Sequence, residues 1–338
     1  MPIHPARFFQ TLTEDRLQCR LCPRGCVLNP GERGFCFGRQ NVAGELVLTT
    51  YGQTSGLAVD PIEKKPFYHF LPGSEVLSFG TIGCNLGCSF CQNWPISRAR
   101  EGSALRNSAR PEELARQAAD AGIPAVAFTY NEPIVFAEYA MDTARASHRL
   151  GVRTLAVTAG YITPFAREDF FRDIDAANVD LKAFRDDFYK RLCGASLKPV
   201  LDTLVHLKHQ TGVWVEITNL MIPGENDSPS EVAEMCRWIA AELGRDVPLH
   251  LSAFHPDYQL ADRACTSAET LRQARKIALD NGLEFVYTGN VRDDEGATTY
   301  CPGCGKALIE RSGFAVRKNV IQDGKCPFCA QVLAGVWV

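Results

Sequence analysis

An α/β fold is what this sequence predicts: a partial (β/α)6-type barrel with a small cysteine-rich segment at each end. Three observations lead there. Short apolar runs alternate with longer amphipathic stretches between residues 76 and 290. The runs are nearly continuous in apolar residues, as strands covered by helices on both faces are. Polar and otherwise unusual residues gather where those runs end, which is where the chemistry of such barrels collects. A chain of 338 residues is long enough to bury a large core.

Three zones separate by pattern: 1–75, an N-terminal cysteine-rich segment with an entrance loop; 76–297, the barrel; and 298–338, a C-terminal four-cysteine module. Strands are expected at VLSFG (76–80), AVAFTY (125–130), RTLAVT (153–158), NVDLKAF (178–184), VWVEITNL (213–220), LHLSAF (249–254) and EFVYTG (284–289). Helices are expected at 111–122, 134–151, 230–243 and 267–282, several of them stopping at glycine. Six or seven such units suit an open or partial barrel better than a doubly wound sheet.

The net charge of −3 gives no general attraction to nucleic acid or to an anionic membrane. No apolar run approaches the roughly 20 residues of a spanning helix, and MPIHPARFFQTLTEDRL lacks a signal-peptide pattern. A cytoplasmic protein is expected. The fourteen cysteines are the unusual feature, and eleven fall in tight groups, which in a reducing compartment points to metal ligation rather than disulfides. Cys193, Cys236 and Cys265 stand alone and read as small buried hydrophobes.

The first group, GTIGCNLGCSFCQN, sets Cys84, Cys88 and Cys91 at C-x3-C-x2-C and supplies no fourth cysteine nearby. Thiolates suit iron–sulfur clusters or zinc. Each iron of a [4Fe–4S] cube takes one outer ligand, so three cysteines leave one iron open. An open position is what catalysis needs, whereas a structural site is closed. The competing reading is a site completed by a distant residue.

The motif and its place after the first strand resemble the radical S-adenosylmethionine (SAM) superfamily. The resemblance implies that the open iron of a [4Fe–4S] cluster takes SAM and that the reduced cluster cleaves it to a 5′-deoxyadenosyl radical. It also implies a set of SAM contacts: Phe90 near the adenine, and Asn131 and Glu132 of TYNEP on the ammonium. Thr158 and Gly160 of VTAGY would meet the ribose, Lys182 of DLK the carboxylate with Asp180 beside it, and His255 of FHP would lie over the site. Each has a structural alternative. Asn131 suits the cap of a helix beginning at Pro133, with Glu132 favoured by the dipole. Asp180 and Lys182 suit a buried ion pair on one strand face. Pro223 and Gly224 of IPGEND are expected to shape a loop.

At the C-terminus Cys301 and Cys304 are followed, after 21 residues, by Cys326 and Cys329. Two C-x2-C knuckles at that spacing indicate a closed four-thiolate site of zinc-ribbon or rubredoxin-like type, with Zn2+ expected over a single iron. At the N-terminus Cys19, Cys22, Cys26 and Cys36 fall within eighteen residues. They indicate a second closed site, for which zinc and an auxiliary [4Fe–4S] cluster both remain open. Glu63, Lys64, Lys65, Tyr68 and His69 are expected at a substrate entrance or in a solvated loop.

The combination CRLCPRGC, PGERGFC, DPIEKKPFYHFLPGS, the cysteine loop, TYNEP and IPGEND resembles the radical SAM family of the AmmeMemoRadiSam system, related to pyruvate formate-lyase activating enzymes. That resemblance implies a flavodoxin- or ferredoxin-type electron donor and an association with Memo-like and AMMECR1-like proteins. The substrate would be either a glycyl-radical-type protein or a small molecule. Two rivals are a non-catalytic metal-binding scaffold and an enzyme directed to RNA or DNA by its ribbon. The second predicts salt-dependent binding lost on removal of 298–338.

Overall fold

The apolar runs of the middle zone fold as neighbouring strands of one sheet in a computed structural model that describes residues 4–100, 104, 105 and 107–337. β1 (Gly56–Pro61) is an antiparallel edge strand beside β2 (Glu75–Gly80). β3 (Ala125–Phe128), β4 (Arg153–Thr158), β5 (Ala176–Asp180), β6 (Trp214–Met221), β7 (Leu249–Ala253) and β8 (Val286–Gly289) follow in chain order. From β2 to β8 every neighbouring pair is parallel. This is one parallel strand more than a six-unit barrel, and the antiparallel β1 falls inside the segment expected to be loop. Among the described residues β1 and β8 are not paired with each other, so the barrel stays open along one seam.

The helices cover the outside: α1 (Pro111–Asp120), α2 (Ala137–His148), α3 (Pro164–Phe171), α4 (Lys198–Gln210), α5 (Pro229–Glu242) and α6 (Ala268–Asp280). α3 and α4 lie outside the four expected helices. Local chemistry sets the starts: proline opens α1, α3 and α5 within their first two positions, while the hydroxyls of Ser228 and Ser267 accept from Glu231 and Thr270 amides. Where the sequence places glycine after a helix, at Gly122, Gly151 and Gly282, the backbone takes φ of 67°, 72° and 99°.

Two expected strands end early, and both endings shape the site. β3 stops at Phe128 because Tyr130 turns left-handed, at φ 69°. β5 stops at Asp180, which leaves Lys182 on the loop beyond it.

The two outer segments are fastened to the barrel by buried arginines. Arg39, 1% exposed, pairs with Glu138 of α2 and donates to the carbonyls of Arg7 and Val135. At the other end β9 (Thr299–Tyr300), β10 (Ala307–Ser312) and β11 (Ala315–Asn319) form an antiparallel sheet. From it the wholly buried Arg311 reaches Glu63 at 3.4 Å, the Tyr68 carbonyl at 2.8 Å and Thr299 Oγ1 at 2.9 Å. Tyr68, Phe285, Tyr287, Ile309 and Leu333 pack into one apolar cluster, so the ribbon shares a core with the barrel. Among the described residues no helix is long and apolar enough to cross a membrane.

Candidate active site

The carboxyl ends of the parallel strands open into a cleft of about 570 Å3. A larger hollow of about 690 Å3, lined by His148, Arg153 and Trp214 among others, lies at the amino ends and holds none of the expected site residues.

Cys84, Cys88 and Cys91, on the loop after β2, all line the cleft. Asn131 holds that loop in place. Its Oδ1 accepts from the Thr81 amide at 2.9 Å, and its Nδ2 donates to the Gly83 carbonyl at 2.8 Å and to Thr81 Oγ1 at 3.2 Å. Both ends of the amide are therefore committed to the cysteine loop. Asn131 thus borders the cleft and braces the cysteine loop. It does not cap the following turn: Glu132 takes that position, with Oε1 accepting from the Ile134 amide at 3.1 Å.

Glu132, 3% exposed, also faces the cleft. Thr158 Oγ1 donates to its Oε1 at 2.5 Å, and the Ala159 amide donates to Oε2 at 2.8 Å. Burial pushes its carboxyl up to about 7, against the lowering effect of those bonds. Asp180, at the end of β5, and Lys182, on the loop beyond it, both line the cleft, with Nζ to Oδ2 at 3.0 Å. Burial alone would lower Lys182, but Asp180 and the nearby Cys88 hold it charged, well above the ordinary lysine value. Its ammonium also lies 5.9 Å from the ring centre of Phe90, which is buried against the cleft wall.

Three residues expected at the site, Thr158, Gly160 and His255, do not line the cleft. Val157 and Ala159 take the cleft side of their strand end, so Thr158 turns away and spends its hydroxyl on Glu132. Gly160 is left-handed at φ 62°, and a side chain there would stand 3.0 Å from Val179. Its smallness therefore serves packing behind the cleft. His255 is exposed, faces the Pro256 carbonyl at 3.4 Å and does not line the cleft, because the chain leaves the barrel after β7. Of the five entrance residues singled out above, Lys64 and Lys65 reach the rim, both paired with Asp60 at 2.7 Å. Glu63, Tyr68 and His69 are buried under the ribbon.

Other residues enter that the sequence did not single out for the site. Asn178, Thr218, Ser252 and Asn290 line the cleft from successive strands, and Phe314 reaches its rim from the ribbon turn between β10 and β11. Asn226 of IPGEND donates to the Lys182 carbonyl at 2.6 Å, a fixing role beside the expected turn at Gly224. Cys193 is fully buried, as its apolar reading predicts, yet its thiol is hydrogen-bonded to Cys88, lowering Cys88 while burial and that bond raise Cys193. The Gly87 and Ser89 amides donate to the carbonyls of Cys193 and Leu192 at 2.7 and 2.9 Å, so this segment cradles the cysteine loop. A contact across a hundred residues leaves no local mark in the sequence.

The four C-terminal thiols meet as their spacing predicts. Cys301 and Cys329 are 3.5 Å apart at sulfur and Cys304 and Cys326 3.7 Å, with all four ligand atoms within 4.8 Å of one another. A tetrahedral ion with metal–sulfur bonds of about 2.3 Å sets its sulfurs about 3.8 Å apart. The group suits one metal ion.

A parallel partial barrel with three thiols, a buried carboxylate and a paired lysine at its strand ends defines the class. The chain belongs to the radical SAM superfamily, whose sequence profile matches residues 79–239. It is 40% identical to an uncharacterized protein of Methanocaldococcus jannaschii over 96% of this chain and 97% of that one. It is also 25% identical to the pyruvate formate-lyase-activating enzyme of Clostridium pasteurianum, over 61% of this chain and 90% of the relative. Among solved structures, a radical SAM methyltransferase from Sphaerobacter thermophilus shares the fold, with a TM-score of 0.52 and 20% identity, over 91% of this chain and 81% of that one. The superfamily implies a [4Fe–4S] cluster and SAM. The donor set fits them: three soft thiols lie on one wall of the cleft, with Glu132, Asp180 and Lys182 on the others.

Proposed function

We propose that this chain reductively cleaves SAM and abstracts hydrogen from a substrate held above the barrel. The observation that supports it is the meeting of Cys84, Cys88 and Cys91 with Glu132 and Lys182 in one cleft, from three separate strand ends. When bound and reduced, the [4Fe–4S] cluster with SAM on its open iron supplies a 5′-deoxyadenosyl radical and methionine. The protein holds, orients and shields. Three thiols hold the cluster, Asn131 and the Cys193 segment fix their loop, Lys182 offers a cation to the SAM carboxylate, and Glu132 offers an acceptor to its ammonium.

Electrons come from a flavodoxin- or ferredoxin-type donor. The substrate is a backbone glycine of a partner protein in the activase-like form of the proposal. Phe314 on the rim favours the other form, a small molecule, because an aromatic ring there narrows the way in for a folded partner. The C-terminal thiols hold zinc, and association with Memo-like and AMMECR1-like proteins belongs to the same proposal.

The test is anaerobic. Reduced protein given SAM should release 5′-deoxyadenosine and methionine, and Cys88→Ala should lower the yield at least a hundredfold while the zinc content stays unchanged. Release unaltered by Cys88→Ala would overturn the proposal. Deoxyadenosine formation coupled to a small substrate, with no glycyl-radical protein present, would decide for the small-molecule form.

SAM binding should also depend on pH. Below about 7 the proton on Glu132 must leave before the carboxylate can meet an ammonium. Affinity should then fall about tenfold per pH unit on the acid side and level off above. Glu132→Gln should flatten that profile. The sign for folding is opposite. The folded value lies above the ordinary 4.5, so this group's contribution is full below 4.5 and is lost as pH rises through about 7. Equilibrium dialysis of SAM against cluster-loaded protein between pH 6 and 8 measures the first effect, and a flat profile for the unaltered protein would exclude it.

A further inference from the structure

Cys19, Cys22, Cys26 and Cys36 surround a small hollow of about 20 Å3, walled by Leu21, Phe35 and Val135 and by Asn85 of the cysteine loop. Two features set this group apart from the C-terminal one. The first is spread. The thiols of Cys301, Cys304, Cys326 and Cys329 lie within 4.8 Å of one another, and no other three such ligands among the described residues, the N-terminal cysteines included, come that close. Cys84, Cys88 and Cys91, the thiols of the cluster site, are open in the same way. One ion draws its four sulfurs to about 3.8 Å apart. In a cube each cysteine binds its own corner iron, so the sulfurs are held apart by the metal–metal separation as well as by their own bonds. The N-terminal thiols do not close on one another as the C-terminal four do, and all four line the hollow.

The second feature is position. The N-terminal group and the SAM-cluster loop touch through the main chain. The Cys36 carbonyl lies so close to Gly83 that a side chain on Gly83 would meet its oxygen at 1.8 Å, and the next residue is Cys84. Arg24 donates to the Asn85 carbonyl and, at 2.7 Å, to that of Gly194, next to Cys193. Buried Arg39 stands within Coulombic reach of Cys19 and Cys36, a cation beside what would be an anionic centre. Cys22, Cys26 and Cys36 are each half-buried and Cys19 is buried, and of these Cys36 is the one whose carbonyl lies against Gly83. The group thus has an outer edge toward solvent and an inner edge against the active loop.

We infer that these four cysteines hold a second [4Fe–4S] cluster, which relays electrons to the one at Cys84, Cys88 and Cys91. In the relay the outer cluster accepts one electron from a one-electron donor protein of the flavodoxin or ferredoxin class. It passes that electron inward and returns to its oxidised state, so one electron enters and one leaves. The relay rests on the radical SAM reading of the neighbouring site, whereas the cluster itself does not.

The experiment is iron, sulfide and zinc analysis of the full chain, isolated and reconstituted without oxygen, with Mössbauer spectra. About eight irons and one zinc per chain are expected, falling to about four irons with zinc unchanged in Cys22→Ala/Cys26→Ala. Iron that stops at about four in the unaltered protein overturns the inference, whether or not a second zinc replaces it. That result needs no variant to fold and leaves SAM cleavage untouched, so it is distinguishable from failure of the proposed function. In the folded double variant, dithionite-driven deoxyadenosine formation should stay within about twofold of the unaltered protein, while formation driven by reduced flavodoxin should drop at least tenfold. An equal response to both donors overturns the relay.

Discussion

Replacing Arg311 with alanine should cost the protein about 3–5 kcal/mol, the usual penalty for leaving one charge of a buried pair without its partner. Arg311 is wholly buried and Glu63 is 1% exposed. The guanidinium donates to the Tyr68 and Ala297 carbonyls and to Thr299, and stands 4.1 Å from the Tyr68 ring centre. Without it, Glu63 keeps the Gly73 amide at 2.9 Å, while its second oxygen has no hydrogen-bond partner. Burial already pushes the Glu63 carboxyl up, with Arg311 opposing that rise. Without that opposition the variant's Glu63 carboxyl should rise further, and the variant's deficit should shrink as pH falls. Arg311→Met with Glu63→Gln should recover part of the loss, because it removes both charges. Denaturant unfolding of the metal-loaded proteins checks this. A single variant within 1 kcal/mol of the unaltered protein would show that the pair carries no such weight.

The second large effect belongs to Gly83→Ala. Gly83 has φ 88°, and the added methyl would fall 1.8 Å from a main-chain oxygen of Cys36. A flexible side chain could move aside, but backbone cannot. Either Cys36 or Cys84 must shift, and misplacement of about 1 Å at reacting groups costs about a hundredfold in rate. Deoxyadenosine formation should fall by at least that factor, with loss of iron. Gly87→Ala is the control: its methyl would stand at ordinary contact distance, 3.4 Å from the tip of the Phe35 ring and 3.7 Å from the Cys193 carbonyl oxygen, so nearly full iron is expected. Equal behaviour of the two variants would count against the close packing of the two cysteine loops as the cause.

Much of this site was legible because its chemistry is local. Cys84, Cys88 and Cys91 announce themselves by spacing, and Asp180 with Lys182 by their place at a strand end, although Lys182 proves to lie just past the strand. Thr158 shows where such reading stops. The sequence places it at a strand end but not on a side, and one position of register separates it from Val157 and Ala159, which do face the cleft. Asn131 and Glu132 were both legible as polar residues in the right place, but their roles depend on which backbone amides come near, and those belong to residues 81 and 159. Cys193, Arg311 and Phe314 were not legible as parts of the site. Each acts across a hundred residues or more, where no periodicity connects the partners.

The open seam has a consequence for the order in which this molecule can be made. The loop that carries Cys84, Cys88 and Cys91 precedes six of the seven parallel strands in the chain, and hence in synthesis, yet the gap between the first and last strands is bridged by residues 311–336, through Arg311 on Glu63 and Val336 against Phe70. Until those residues emerge the nascent barrel is a sheet with two bare margins, exposed to mispairing. Closure of the barrel must therefore wait for residues 311–336, and a chain without them would be an unclosed, aggregation-prone sheet rather than a smaller working barrel.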